Sequence, residues 1–474
     1  MAKIAMIGAG SLVFCQTLTM DILATEALRD SDIWLMNRTK PKLDRMHAFV
    51  KRVIKENGLP AKVHATLDRR EALRAADYVI VMVQVGGLEA FGMDYEIPLK
   101  FGVDQCIGDS LGPGGILRGL RTIPLLMDIA RDMEELCPHA IMLNYANPMA
   151  ACCLALGKAT NIQFIGLCHG VQTTLDLISR YVNVPKERID FFCAGINHMA
   201  WFLSLRDKKN GQDLYPALRA NLEKPEYYVN EKVRGEVMRH FGYFMTESTG
   251  HLSEYLPWFR SSRRALDLYC DQPAFGGESG AYYKFCSATA DRFLNANYLD
   301  TESAKITRRS VEYCSYILEA HKTDRPFRLN GNVRNDGYIS NLPQGCCVEV
   351  PVFVDARGIH PVRVGELPPQ CAALNQSNVT VQMLAVEAGL KADPELVMAA
   401  MAMDPLTSAT CTLAEVREMT AAMLEAERQW LPQFAGKSLR PTPTTVIPPD
   451  VKPVEVPTDP ALAIANRFGK IAQG

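Results

Sequence analysis

The chain has 474 residues, of which 48% are apolar, so it is long enough for two domains that share a large interface and bury substantial cores. Acidic and basic residues nearly cancel, with a formal net charge of -2. This balance removes the electrostatic basis for general binding to nucleic acid or to a membrane surface, and we expect a small-molecule partner instead.

The cysteines and the first residues point to a cellular compartment. Fourteen cysteines are scattered along the chain without the CxxC pairs of a zinc ribbon or a redox motif. No apolar stretch reaches membrane-spanning length, and the N-terminus leads directly into a predicted strand rather than into a signal peptide. These features predict a reduced, cytoplasmic protein.

The first part of the chain predicts strands that alternate with helices. Apolar runs predict strands at 4–7, 33–36, around Val63, and at 78–84, 140–145 and 162–167, while helical periodicity predicts helices over 12–28, 41–56 and 69–76. This alternation is typical of a Rossmann-like, doubly wound parallel sheet, whose ligands gather at the carboxyl ends of the strands. We therefore predict an α/β fold with a dinucleotide-binding domain over residues 1–195.

The alternation ends beyond residue 195. A helical stretch over 303–321 and a strand-like stretch over 347–354 predict a mixed α+β domain, with a catalytic and oligomerisation role, over residues 196–436. Residues 437–474 are rich in proline and poor in large apolar residues, so this tail cannot form a core alone. We expect it to wrap a neighbour or to be loosely ordered.

A glycine turn follows the first strand and opens the first helix. Gly8-Ala9-Gly10 lets the backbone approach a pyrophosphate, although Val13 replaces the third glycine of the usual fingerprint. The second strand ends in Asn37 and Arg38 instead of a ribose-binding acid, and an arginine there can pair with a 2′-phosphate. An ordinary turn is the alternative, and the choice between NAD and NADP stays open. The predicted cofactor residues are Gly8, Gly10, Ser11, Asn37, Arg38 and Gln84.

A cysteine and a histidine lie beside glycines in two motifs about thirty residues apart, Gly166-Leu167-Cys168-His169-Gly170 and Gly195-Ile196-Asn197-His198-Met199. A thiolate and an imidazole fit a borderline divalent ion, and a site with two protein ligands leaves positions open for substrate oxygens. The alternative is a buried cysteine and a core histidine.

Three further segments offer polar groups. The glycine-dense loop 107–115 is a candidate flap over substrate, with an ordinary connecting loop as the alternative. Asn147 ends a predicted strand and offers an amide to a hydroxyl group, unless it only forms a turn. The segment 246–255 holds His251, Glu254 and Tyr255, so a short helix or turn could direct several proton-transfer groups at one site, and surface placement is its alternative.

Six motifs together resemble glycoside hydrolase family 4, and within it the bacterial α-galactosidases of melibiose utilisation. They are GAGS at 8–11, DSLGPGG at 109–115, NYANPM at 144–149, GLCH at 166–169, AGINHM at 194–199 and RNDG at 334–337. The likeness extends to about Phe434. It implies a lactate/malate dehydrogenase-like architecture and a homodimer or homotetramer.

The resemblance implies an α-glycosidase that needs NAD and usually manganese, and this family is an exception to the two-carboxylate mechanism. The nicotinamide takes hydride from C3, a protein base removes the C2 proton, the glycosidic oxygen is eliminated, water adds at C1 and the hydride returns. The substrate implied is a non-phosphorylated hexoside, foremost an α-galactoside. The alternatives are an α-glucosidase or α-uronidase of the same family, a plain dehydrogenase, and a cofactor-bound sensor without turnover.

The resemblance also implies roles for individual residues. Cys168 and His198 match the metal ligands of the family. Phospho-glycosidase members carry an aspartate as the proposed acid where His169 stands here, and a tyrosine base in the region of His251 and Tyr255. These last three residues are therefore the predicted catalytic residues. The residues predicted to bind substrate are Asn147, Asp109, Arg334 and Asn335.

Overall fold

The structure is a computed structural model that describes residues 1–294, 298–442, 445–452, 454–455 and 460–472. Its strands are β1 Lys3–Ile7, β2 Asp32–Met36, β3 Lys62–Thr66, β4 Tyr78–Val81, β5 Ile141–Asn144, β6 Gln163–Gly166, β7 Ile189–Ile196, β8 Met199–Asp207, β9 Phe327–Arg334, β10 Cys347–Asp355 and β11 Gly358–Pro361. Its helices up to residue 252 are α1 Leu12–Ala24, α2 Lys40–Glu56, α3 Arg69–Leu73, α4 Gly87–Lys100, α5 Gly112–Leu136, α6 Met149–Ala159, α7 Gly170–Val182, α8 Tyr215–Leu222, α9 Pro225–Tyr228, α10 Lys232–Phe241 and α11 Thr249–Leu252. The later helices are α12 Arg263–Tyr269, α13 Ala281–Leu294, α14 Tyr298–Thr301, α15 Cys314–Thr323, α16 Pro369–Lys391, α17 Pro394–Met403, α18 Pro405–Thr410, α19 Leu413–Ala426 and α20 Pro460–Ala472.

One sheet runs through the chain, and half of it is a doubly wound parallel sheet. The order β3-β2-β1-β4-β5-β6 is parallel throughout. β1 and β4 lie in its centre and are almost wholly buried, which explains their continuous apolar sequences. The predicted α/β fold class is confirmed, and the carboxyl ends of these strands share one edge of the sheet.

The other half of the sheet is antiparallel. It continues from β6 through β9, β10 and β7 to β8, with β11 paired to β10. A single pair, Gly166 with Asn332, joins β6 to β9. The β7–β8 hairpin then lies beyond β10, so that its tight turn can present His198 next to the end of β6.

Helix α2 shows how the helices cover this sheet. Its N-terminal turn contains Pro41, whose fixed φ suits the first turn of a helix. Its apolar residues recur three or four positions apart, so they form one stripe that packs into the core. The buried members are Leu43, Met46, Phe49, Val50 and Val53.

The helix predicted over 303–321 is much shorter in the structure, where α15 begins at Cys314. The backbone N–H and the hydroxyl of Ser310 both donate to the Asp21 carboxylate, which fixes residue 310 against α1. Arg309 stacks on the Tyr316 ring, 3.5 Å from its centroid. These contacts with a distant carboxylate override the local helical pattern, and the prediction was wrong there.

The chain divides into two compact units, Met1–Leu439 and Arg440–Gly474. The described part of the second unit contains α20. The domain boundary at residue 195 stays a prediction. None of the helices that the structure describes combines the length and hydropathy needed to cross a membrane.

Candidate functional site

The glycine turn between β1 and α1 is pressed between two neighbouring strand ends. Gly8 has φ +92, and a Cβ built on it would lie 2.6 Å from the carbonyl oxygen of Met82, which follows β4. A Cβ on Gly10 would lie 2.6 Å from Nδ2 of Asn37 at the end of β2. Only glycine fits at Gly8, because a side chain there would displace backbone, whereas a side chain at Gly10 would displace the Asn37 amide.

A cavity of about 780 Å³, here called the glycine-turn cavity, opens over this turn. The structure brings all six predicted cofactor residues to its wall: Gly8, Gly10, Ser11, Asn37, Arg38 and Gln84. Lys42, Arg69 and Trp430 also line it. Among the described residues that line this cavity there is no carboxylate. The part of the wall formed by Asn37, Arg38 and Lys42, where a ribose is expected, therefore carries no negative charge.

Three potential metal ligands meet at the next strand ends along the same edge. Cys168 follows β6, His198 lies in the β7–β8 turn, and Glu247 precedes α11. The Sγ of Cys168 lies 4.0 Å from Oε1 of Glu247, and Nε2 of His198 lies 3.8 Å from the same oxygen. All three donor atoms lie within 4.8 Å of one another. A thiolate, an imidazole and a carboxylate form a donor set that suits a borderline divalent ion.

Glu247 is held in place by backbone on both sides. A Cβ on Gly170 would overlap the Glu247 carboxylate, so the glycine makes room for it at the start of α7. The N–H of Thr246 donates to the carbonyl of Ala200 in β8 at 2.9 Å. Sequence reasoning missed Glu247, although it lies four residues before His251 in a segment that the sequence singled out, and this spacing was the available signal.

His251 contacts the Glu247 carboxylate with one ring nitrogen and directs the other towards Asp109. Its Nδ1 is 3.2 Å from Oε2 of Glu247. Its Nε2 is buried, has no hydrogen-bond partner among the described residues, and lies 3.9 Å from Oδ1 of Asp109. A buried nitrogen without a partner at a cavity wall is available to a ligand.

Tyr255 has a different position from His251. It is 2% exposed, and its hydroxyl lies 3.2 Å from Nδ1 of His198, the ring nitrogen that faces away from Glu247. A hydrogen bond at Nδ1 fixes the orientation of an imidazole whose Nε2 binds a metal. Tyr255 therefore contacts His198 on the side of the ring away from Glu247.

A second cavity, of about 500 Å³, lies beside the cluster and is here called the histidine cavity. Among its wall residues are Asp109, Asn147, His169, His198, Glu247 and His251. Asn147 donates from Nδ2 to Oδ2 of Asp109 at 3.0 Å. His169, half-exposed at the start of α7, has its Nδ1 3.5 Å from Oε1 of Glu312. Five residues that were predicted to act in catalysis, substrate binding or metal binding therefore line one cavity together with Glu247. They are Asp109, Asn147, His169, His198 and His251.

Arg334 and Asn335 are not brought to this cavity. Arg334 lines a separate cavity of about 380 Å³ and donates to the carbonyl of Gly157 at 2.7 Å. The Asn335 amide is buried and bonds the backbone of its own loop, including the carbonyl of Ile339 at 3.0 Å. Their predicted contact with substrate has no support in this geometry, and both are left out of the proposed site.

Two family models cover most of the chain. The family 4 glycosyl hydrolase model matches residues 3–184, and the model of the family's C-terminal domain matches residues 193–407. The chain belongs to glycosyl hydrolase family 4. The resemblance and the predicted glycoside hydrolase class are confirmed.

Relatives within family 4 align over nearly the whole chain. The α-galactosidase of Rhizobium meliloti is 42% identical over 442 residues, covering 91% of this chain and 90% of the relative. The α-galactosidase of Bacillus subtilis is 38% identical over 437 residues, covering 92% and 100%. A 6-phospho-β-glucosidase from Thermotoga maritima, solved with manganese, NAD+ and glucose-6-phosphate, matches with a TM-score of 0.72 at 22% identity, covering 90% and 98%. That structural likeness shows a shared fold.

The charges of this family 4 site follow from burial and from close pairs. Burial lowers the pKa of His198 to about 4, so its imidazole is neutral and able to act as a ligand at neutral pH. Burial opposes a charge on Glu247, but His198 and His251 hold its pKa well below the usual range. Burial also disfavours a charge on His251, yet its hydrogen bond with Glu247 raises the pKa to about 9. Burial raises the pKa of the Cys168 thiol well above its ordinary value.

The raised pKa of Cys168 predicts a pH dependence of metal binding. The thiol must lose its proton to bind a metal, whereas His198 is already neutral above about pH 4. Manganese affinity should therefore increase about tenfold per pH unit between pH 6 and pH 8. Chelator competition at several pH values measures this slope.

The matched control for this slope is Cys168→Asp. A carboxylate at this position is largely ionised across the same range, so the pH dependence should flatten. A manganese affinity of the unmodified enzyme that does not change with pH would refute a thiolate ligand.

Proposed function

We propose that the chain is an α-galactosidase that uses NAD and a divalent metal ion, with manganese as the expected metal. The observation that carries the proposal is the cluster of Cys168, His198 and Glu247 at the same sheet edge as the glycine-turn cavity. The galactoside assignment draws on the two α-galactosidases that are 42% and 38% identical to this chain.

The residues present fit both groups. The backbone at Gly8 and Gly10 would hold the pyrophosphate, since both glycines line the cavity and leave the backbone uncovered. Cys168, His198 and Glu247 would hold the metal ion. When bound, NAD supplies reversible oxidation at C3 of the sugar, and the metal supplies Lewis acidity at the sugar oxygens.

The remaining residues handle protons and hydroxyl groups. We propose His251 as the base at C2, because its Nε2 is at the cavity wall and has no partner among the described residues. The pKa of about 9 comes from the pairing of His251 with a free Glu247 carboxylate. A metal ion bound by Glu247 would neutralise that carboxylate and lower the pKa of His251, which would leave Nε2 free to accept a proton. His169 is proposed as the acid, since its hydrogen bond with Glu312 raises its pKa and favours the protonated ring. Asp109 and Asn147 would bind sugar hydroxyls together.

The charge balance of the histidine cavity favours an uncharged hexoside. Arg234 lines the cavity, but two of its nitrogens bond the Glu231 carboxylate at 2.5 and 2.7 Å. A 6-phosphate or a uronate needs a cation that is not already neutralised. An α-glucosidase remains the second candidate, because an uncharged glucoside meets the same condition and a relative named α-glucosidase is 28% identical.

We further propose NAD as the preferred cofactor, with NADP tolerated. Arg38 and Lys42 line the glycine-turn cavity beside Asn37, and none of the three repels a 2′-phosphate. A charge-assisted contact from Arg38 is worth about 1.5–3 kcal/mol, which is roughly tenfold or more in affinity. Arg38→Ala should weaken NADP by about this factor and leave NAD unchanged, as measured by titrating both oxidised cofactors into stripped enzyme.

Two outcomes of that titration would contradict the proposal. NADP binding tighter than NAD, with the advantage lost in Arg38→Ala, would reverse the preference. Complete rejection of NADP would refute the tolerance.

We propose that the enzyme is cytoplasmic and forms a homodimer or homotetramer. All fourteen cysteines are free in the structure, as a reducing compartment would keep them. Light scattering of the purified enzyme tests the oligomeric state.

The activity is tested with aryl α-galactosides and α-glucosides in a matched set of reactions. Nitrophenol release should require both NAD and manganese, and the galactoside should be cleaved faster. Equal cleavage without either group would contradict the proposal, and faster cleavage of the glucoside would select the second candidate. A plain dehydrogenase would accumulate NADH without releasing nitrophenol.

A further inference from the structure

A tryptophan from near the end of the first compact unit lies in the wall of the glycine-turn cavity. Trp430 ends a short 3-10 turn, Arg428–Trp430, that follows α19. It is separated from the glycine turn by more than four hundred residues of sequence, yet lines the same cavity as Gly8 and Arg38. No residue after Asn335 was predicted to take part in a site.

A buried ion-pair network holds this turn in place. Glu427, just before Trp430, is fully buried and accepts from Nη1 of Arg121 in α5. Arg121 also binds Asp94 in α4, with Nη2 2.7 Å from Oδ2. Arg121 thus hydrogen-bonds the turn and α4 at the same time, so the network holds the turn against α4 and α5.

The loop after β4 approaches the indole ring closely. Gly86 has φ +85, and a Cβ built on it would lie 3.5 Å from Cδ2 of Trp430. The carbonyl of Val85 accepts from Nε of Arg121 at 3.4 Å, and both Val85 and Gly86 line the cavity. The half-buried indole therefore lies beside the loop that follows β4. Gly86 approaches the ring, and the contact of Glu427 with Arg121 holds the turn that carries it.

The position of Trp430 relates it to one half of a dinucleotide. In a sheet of this order the adenosine ribose lies at the end of the second strand, which here is Asn37 and Arg38 on the same cavity wall. Trp430 lines this cavity together with Leu125 of α5, so the wall includes apolar groups on which a base can pack. A flat aromatic ring at this place matches a purine base, whose face stacks on aromatic side chains.

We propose that Trp430 binds the adenine base of the dinucleotide by stacking, an inference that rests on the proposed use of NAD. Trp430 then acts as a cofactor-binding residue supplied by the C-terminal part of the fold. The buried pair of Arg121 and Glu427 serves as the positioning contact for it.

Binding measurements on stripped, full-length enzyme test this proposal without recourse to activity. Trp430→Ala should weaken NAD+ and ADP-ribose by the same factor, about tenfold or more in Kd, because both carry the adenine. Trp430→Phe should lose less, since a phenyl ring still stacks. Trp258→Ala is the matched control, because Trp258 is 48% exposed, stacks on Phe241 and does not line the cavity.

Fluorescence supplies a second readout that does not depend on a loss of affinity. ADP-ribose should quench the tryptophan emission of the unmodified enzyme and of Trp258→Ala, and this quenching should disappear in Trp430→Phe. Unchanged ADP-ribose affinity in Trp430→Ala, or weakening of NAD+ alone, would overturn the proposal. If the unmodified enzyme binds NAD+ and the variant binds it equally, only the adenine contact fails, whereas an unmodified enzyme that binds no NAD+ refutes the proposed function as well.

Discussion

Replacing Cys168 by serine, His198 by alanine or Glu247 by glutamine should lower kcat/KM about 100- to 1000-fold. Each change removes one ligand of the proposed metal ion, which would stabilise the negative charge that develops on the sugar. The three donor atoms lie within 4.8 Å of one another, so the loss of any one leaves an incomplete site. Bound manganese, measured by elemental analysis after dialysis, should decrease together with activity. Glu247→Gln is the sharpest variant, since it keeps the size of the side chain and removes only its charge.

A matched control distinguishes the loss of a ligand from a general effect of losing a thiol. Cys411 is half-buried and donates to the carbonyl of Phe101 at 3.4 Å, a bond that serine can also make. Cys411→Ser should retain full activity and metal content. Full activity of Cys168→Ser or His198→Ala in chelator-treated buffer would show that the cluster is not the metal site.

The second large effect should separate His251 from Tyr255, which sequence alone left as equal candidates for the base. His251→Ala should reduce kcat by about 10²- to 10⁴-fold, the usual contribution of a general base, while manganese still binds. Tyr255→Phe should cost less in kcat and weaken manganese by about 10- to 100-fold, because its hydroxyl bonds Nδ1 of a metal ligand. Steady-state kinetics at saturating metal, alongside chelator competition, separate the two roles.

Exogenous imidazole strengthens that comparison. Imidazole should partly restore the activity of His251→Ala, because the missing side chain lines the histidine cavity and leaves room there for the added ring. It should leave the activity of Tyr255→Phe unchanged. The reverse pattern, with a large loss of kcat in Tyr255→Phe and near-normal turnover in His251→Ala, would assign the base to the tyrosine.

The local sequence was sufficient for the parallel half of the fold. The strands β1, β2 and β4 are short apolar runs next to glycine or polar turns, so their pattern depends only on neighbouring residues. Cys168 could be predicted for the same reason, because it directly follows a parallel strand at the edge where ligands gather.

Residues whose position depends on distant parts of the chain were not predictable in this way. Glu247 reaches Cys168 only through the pairing of Thr246 with β8, and Trp430 reaches the glycine-turn cavity only through the buried contact of Glu427 with Arg121. A long-range contact also explains why α15 begins later than predicted, since Ser310 bonds Asp21, which lies almost three hundred residues away in the sequence. A single sequence carries no local signal for these long-range contacts, although the four-residue spacing from His251 does mark Glu247 as a candidate.

In the proposed mechanism, this site removes the C2 proton of an α-galactoside during hydrolysis. The decisive measurement is turnover in D2O, followed by mass spectrometry and NMR of the galactose formed. We expect deuterium at C2 of the product, in amounts that depend on NAD and manganese and that fall with His251→Ala. Galactose released at the full rate with its original hydrogen at C2, and no rate effect when that position is deuterated in the substrate, would contradict the account.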